Sequence, residues 1–151
     1  MIYVKVAILL ICAELWYQGG QNNRAWMRDV LITIILGAWV GWKSVWWIGI
    51  LTIGTFNIIR IGYGIPDSTD EGSFLGRIFK VGWLTRGVAG TLYGLVGLLG
   101  YVIYTHHLLT YLIFTAVNGV VNGMGEGCKI DSKIWDRVRG LAIGSLVFLI
   151  K

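Results

Sequence analysis

Apolar residues in this chain come in blocks of about one helix length, separated by short polar stretches. The first block covers 2–17, with Lys5 near its start and Glu14 near its end. A polar turn over 18–25 follows. Two further blocks, 26–42 and 44–61, meet at Lys43, among Trp39, Trp42, Trp46 and Trp47. One helix through Val30 to Ile59 would extend about 45 Å against about 30 Å of bilayer hydrocarbon, and it would carry a charge near its middle, so two helices are predicted. A charged stretch over 62–83, with the only proline at Pro66, leads to a block over 84–104. Thr105-His106-His107 is read as a tight exposed turn, 108–121 as a fifth block, 122–135 as a polar loop and 136–150 as the last block. The prediction is all-α, with six short transmembrane helices. At about 14–21 residues they are slightly short and need flanking aromatic and basic residues, or a thinned bilayer, to complete a crossing.

The polar stretches repeat. Asn57 has glycines at +5 and +7 (Gly62 and Gly64), then acids, then Lys80 six residues before Arg86-Gly87. Asn118 has Gly123 and Gly125 at the same offsets, then acids, then Lys133 six residues before Arg139-Gly140. A fainter copy begins at Glu14 and ends in Arg28-Asp29. The helices therefore read as three pseudo-repeated hairpins in one domain over 1–151. Gly37-x3-Gly41, Gly90-x3-Gly94 and Gly140-x3-Gly144 each fall in a returning helix, a spacing that lets membrane helices approach closely.

Composition fits a lipid solvent. The chain is 56% hydrophobic and 14% charged, with a mean hydropathy of +0.69, whereas soluble domains carry about 25% charged residues. The net charge of +5 is no sign of nucleic-acid binding, because the basic residues are sorted by loop. Arg24, Arg28, Arg60, Arg77, Lys80, Arg86, Lys129, Lys133, Arg137 and Arg139 lie toward the loops after the odd-numbered helices, and Lys5, Lys43 and Lys151 lie on the other side. The positive-inside bias puts the former loops in the cytoplasm and both termini outside. Tryptophans form two belts, Trp16, Trp26, Trp83 and Trp135 inside, and Trp39, Trp42, Trp46 and Trp47 outside. The expected home is the cell membrane, in the manner of a bacterial inner-membrane protein. Ile11 stands where a lipoprotein cleavage box needs a small residue, so the first block is read as a retained helix. Cys12 and Cys128 fall in separate regions, and no disulfide is expected.

Candidate chemistry is sparse. Glu14, Asn57 and Asn118 occupy matching positions near the cytoplasmic ends of the odd-numbered helices. Polar side chains at depth usually face a cavity or a partner, so the three are pore or vestibule candidates; at headgroup level water would satisfy them instead. Arg28, Arg86 and Arg139 are expected at helix N-termini, where an arginine adds to the anion preference of free N–H groups. They are candidate contacts for an anion or lipid headgroup, or simply part of the positive-inside bias. Asp67-x2-Asp70-Glu71-Gly72, followed by Arg77, is a weak cation site candidate. It resembles the start of the Asp-rich signature of CDP-alcohol phosphotransferases, but no further aspartate pair follows at the required spacing, and that family is rejected. No Walker loop, Gly-x-Ser-x-Gly, Cys-x2-Cys or zinc-protease motif occurs, and no cofactor is expected.

These features point first to a small channel or transporter for an ion or small polar solute. Its partners would be the lipid bilayer and further copies of itself, because six short helices enclose little space. A phage-type holin or a membrane-targeted structural or inhibitor protein is the alternative, and a lipid-headgroup enzyme using Asp67, Asp70 and Arg77 is the third reading.

Overall fold

The computed structural model describes residues 1–22, 24–63, 82–128 and 130–150. All regular structure among them is helical: α1 (Ile2–Gln21), α2 (Ala25–Lys43), α3 (Trp46–Tyr63), α4 (Gly82–Gly97), α5 (Leu99–Thr105), α6 (Leu108–Gly127), α7 (Ser132–Gly144) and α8 (Leu146–Leu149). Two helices, Ile2–Gln21 and Leu108–Gly125 within α6, are long and apolar enough to cross a membrane, and a third span results if α4 and α5 count as one bent segment.

Helix ends differ from the sequence expectation where glycine is packed tightly. The polar turn predicted after Tyr17 is instead the last turn of α1. Gly19 is buried there, and a β-carbon on it would lie 2.6 Å from the Cβ and Cδ of Arg28. Tertiary packing overrides the weak helix propensity of Gly19-Gly20. Likewise α6 continues past Val121 to Gly127, held by the Asn122 side-chain amide donating to the Asn118 carbonyl at 2.8 Å and by the Trp135 indole donating to the Val121 carbonyl at 3.0 Å. The helix predicted over 84–104 is broken at Leu98, with its two parts bent by 43°. Asp131 caps α7, its carboxylate accepting from the Lys133 N–H at 2.9 Å. Arg139 therefore lies beyond the first turn of that helix, not at its N-terminus.

Around the bundle the order is α1, α2, α3, α4, α6, α7, with α7 packed back on α1. The most intimate pairs are α4 with α6, α1 with α7, and α2 with α3. They lie between the expected hairpins, not within them, and glycine is the reason. A β-carbon on Gly140 would sit 2.5 Å from the Ala13 Cα and the Cys12 carbonyl oxygen. Gly41 and Gly49 bring α2 and α3 into backbone contact, and Gly90 and Gly94 do so for α4 and α6. The interior is filled, with Leu36, Phe56, Tyr93, Tyr101, Phe114 and Leu146 in one apolar cluster. Outward positions are also apolar, as at Leu10, Ile50, Ile103, Leu109 and Leu112, while Arg28, Asp29 and Asp136 are buried. A helix hydrophobic on both faces suits a lipid surround. Trp39, expected in the outer belt, is 4% exposed and part of the core.

Gly140→Val should overpack the α1–α7 contact and cost about 1–3 kcal/mol of stability, read as a lower unfolding midpoint by circular dichroism in dodecyl maltoside. Gly54 has open space around its Cα, so Gly54→Ala should hold or raise the midpoint.

Candidate functional site

Along α6, Tyr111, Thr115, Asn118 and Asn122 recur at spacings of four, three and four. This spacing gathers them on one helical face, and that face meets α4. The Tyr111 hydroxyl donates to the Leu95 carbonyl at 2.7 Å. A β-carbon on Gly94 would lie 2.6 Å from the Thr115 Cα, and one on Gly90 would lie 2.5 Å from the Asn118 carbonyl oxygen. A polar stripe thus lies against a helix face with almost no side chains.

The bend beside this stripe is built by Gly97 and Leu98. A β-carbon on Gly97 would collide with the Phe56 ring, so glycine lets that ring seat against the break. A break frees backbone carbonyls, which in an apolar surround must find other donors. Leu95 takes the Tyr111 hydroxyl, and Gly97 shares the Thr55 hydroxyl, at 3.1 Å, with the Leu51 and Thr52 carbonyls of α3. The Leu98 N–H still donates to the Gly94 carbonyl at 3.3 Å. Hydroxyls from α3 and α6 therefore hold the bend from two sides.

Within the stripe, two oxygens lack a partner among the described residues. Asn118 is 1% exposed and stands in the middle of α6. Its amide donates to the Phe114 carbonyl at 2.9 Å, but its carboxamide oxygen accepts nothing, and neither does the Thr115 hydroxyl. Each unsatisfied buried polar group calls for an explanation, such as a water or an ion. Both oxygens are acceptors, so they suit a water, a cation, or a solute carrying hydroxyl or ammonium groups. On the outer side of the same helix pair, Trp83, Gly87, Gly119, Gly123 and Met124 line an apolar groove of about 590 Å³.

A second polar region lies at the other end of α1. Arg28 and Asp29 form a buried, two-point pair at 2.6 and 3.2 Å, and the guanidinium carbon lies 4.2 Å from the centroid of the Trp16 ring. Arg139 meets Asp136 at 3.3 Å. Gly20 of α1 abuts the Asp136 carboxylate, where a β-carbon would not fit, and Gly19 abuts Arg28. The end of α1 is thereby wedged between two ion pairs.

The sequence candidates separate in space. Glu14 is exposed on α1, accepting from Gln18 at 2.7 Å and lying 3.6 Å from Arg137 Nε. Asn57 is half-buried and donates to the Thr33 hydroxyl at 3.0 Å and the Ile53 carbonyl at 2.8 Å. Asn118 lies on the α4 face of α6. Each of the three has its own partners, and none bonds another. Arg28 and Arg139 face acids of their own helices, and Arg86 is half-buried in α4. Asp67 and Asp70 lie outside the described residues. Among the described residues no cluster of three or more His, Cys, Asp or Glu side chains can hold a metal, and Cys12 and Cys128 are both free thiols. No protein family, curated protein or solved structure matches the chain.

Sequence reasoning singled out Asn118 and did not single out Thr115 and Tyr111 beside it or Thr55 at the break. The four-three-four spacing on α6 was the available signal for the first two. Nothing in the sequence marks Thr55, whose partner lies 42 positions away. It also missed the pairing of Arg28 with Asp29, although an aspartate inside an apolar block marks a buried charge in need of a cation.

Asp29→Asn should leave Arg28 buried without its countercharge and cost about 3 kcal/mol or more. The readout is the thermal unfolding midpoint in detergent. Lys133→Gln, at an exposed position, should leave that midpoint within error.

Proposed function

We propose that this protein moves a small ion or polar solute across a membrane, and that its ligand sits at Asn118 and Thr115. The unpartnered carboxamide oxygen of Asn118, at the middle of a helix fit to span a bilayer, carries this reading. A polar group held unsatisfied in apolar surroundings is costly, and a costly polar group within a membrane segment usually faces a cavity or a partner. The neighbouring break at Leu98 adds support, since transporters place their sites at discontinuous helices.

In this proposal the bundle crosses the membrane six times as three hairpins, with basic loops in the cytoplasm and both termini outside. The interior is filled by Phe56, Tyr93 and Phe114, so passage requires a change of conformation at the α4–α6 contact instead of a standing pore. The bend at Leu98, held by two hydroxyl contacts, is the hinge. Asn57 with Thr33 forms a further polar step between α3 and α2, and Glu14, on the bundle surface, lies outside the path. Self-association through the glycine-lined outer grooves would bring further copies together.

Purified protein in proteoliposomes should show selective flux of protons, a monovalent cation, a small anion or a neutral polyol. Asn118→Leu and Thr115→Val should each lower that flux at least tenfold, with helicity and reconstitution unchanged, while Glu14→Gln should alter it less than twofold. Leakage of all probes alike, indifferent to Asn118→Leu, would sink the proposal and favour a lytic protein. Silence toward every probe would sink it as well.

A further inference from the structure

Acidic residues are absent from 30–66, 72–125 and 137–151, and the only one in 1–29 before Asp29 is Glu14. One end of the bundle, where α1 begins and α2 ends, therefore carries Lys5 and Lys43 with no carboxylate of the chain near them in sequence. Both converge on one indole. The Lys5 ammonium lies 5.8 Å from the Trp39 ring centroid and 5.6 Å from that of Phe148. The Lys43 ammonium lies 6.0 Å from Trp39 and 5.7 Å from Trp42. Neither forms an ion pair among the described residues.

The two lysines differ in what explains them. Lys43 is the last residue of α2, where a cation complements the helix dipole. Lys5 is the fourth residue of α1, at the end where the dipole opposes a cation. It is half-buried there, and cation–π contact alone offsets its lost hydration. A second anomaly lies at the same place: the Trp39 N–H is buried and has no acceptor among the described residues. Two cations and an orphaned donor around one ring lack the same thing, an anion with several acceptor oxygens.

We propose that Lys5, Lys43 and Trp39 form a phosphate-binding site, taking the phosphate group of a lipid headgroup or free inorganic phosphate. Lysine holds phosphate as a point charge and needs no fixed approach angle. A tetrahedral oxyanion can bridge two ammonium groups whose separation side-chain rotation adjusts, and the proposed site takes the buried Trp39 N–H as its third donor. Trp42, Trp46 and Trp47 at this end are exposed, as aromatic residues at headgroup depth are. The site stands apart from Asn118 and does not depend on transport.

The test uses the full chain in dodecyl maltoside with ¹⁵N-labelled tryptophan, the Trp39 indole resonance being assigned through Trp39→Phe. One arm titrates inorganic phosphate and the other adds phosphatidylglycerol. A saturable shift of the Trp39 N–H is expected in at least one arm. A shift in the phosphate arm makes the ligand a soluble anion, and a shift only in the lipid arm makes it a headgroup. Lys5→Gln and Lys43→Gln should each raise the midpoint about tenfold, as loss of one charge-assisted contact implies, whereas Lys5→Arg, Lys43→Arg and Lys133→Gln should keep it. No saturable shift in either arm, or a midpoint indifferent to both glutamine substitutions, would overturn the proposal.

Discussion

Backbone-to-backbone contact at glycine is the constraint on which the rest of this structure depends. In lipid there is no hydrophobic drive to bring helices together, so close packing must supply it. Three helix pairs achieve this through Gly140 against Ala13, Gly41 against Gly49, and Gly90 and Gly94 against α6. Once those faces are spent on backbone contact, the large side chains have only two places to go. Phe56, Tyr93 and Phe114 fill the interior, and Leu10, Ile50 and Leu109 face outward. Polar groups are left with narrow options: the seams beside the glycines and the two ends of the bundle.

Each option is used differently. At one end, charges neutralise one another, Arg28 with Asp29 and Arg139 with Asp136, and two glycines of α1 make room for them. In the α4–α6 seam, neutral hydroxyls and amides bond carbonyls, and at the break they take over the bonds a straight helix would have made. At the other end, lysines meet only aromatic faces. Coulomb energy grows as the surroundings become less polar, so an unpaired charge is tolerable only beside a polar surround, while the α4–α6 seam holds neutral groups.

The all-helical class and the apolar helices were legible because block hydrophobicity depends on composition over long windows. Helix ends were not, since Gly19-Gly20 and Gly123 read as turns yet sit inside helices under the pressure of Arg28 and Gly87. The break at Leu98 is invisible locally, because its support comes from Thr55 and Tyr111 on other helices. Glu14, Asn57 and Asn118 hold matching places in the sequence repeat but range from exposed to half-buried to 1% exposed. A repeat in sequence sets where a residue falls along its helix. Which way it faces follows from the neighbour, and the neighbours of α1, α3 and α6 are unlike.

That difference explains why the three matching residues have unlike partners. Glu14 is ionisable and faces outward, where Gln18 and Arg137 partner it. Asn57 meets the Thr33 hydroxyl and is satisfied. The Asn118 backbone carbonyl packs against Gly90, and its side-chain oxygen has no partner among the described residues. A glycine face cannot return a hydrogen bond, because its carbonyls and N–H groups belong to its own helix. Replacing Gly90 with a larger residue would force the helices apart, because its β-carbon would meet the Asn118 backbone. Tight packing at Gly90 and Gly94 and an unmet acceptor at Asn118 thus lie in the same seam.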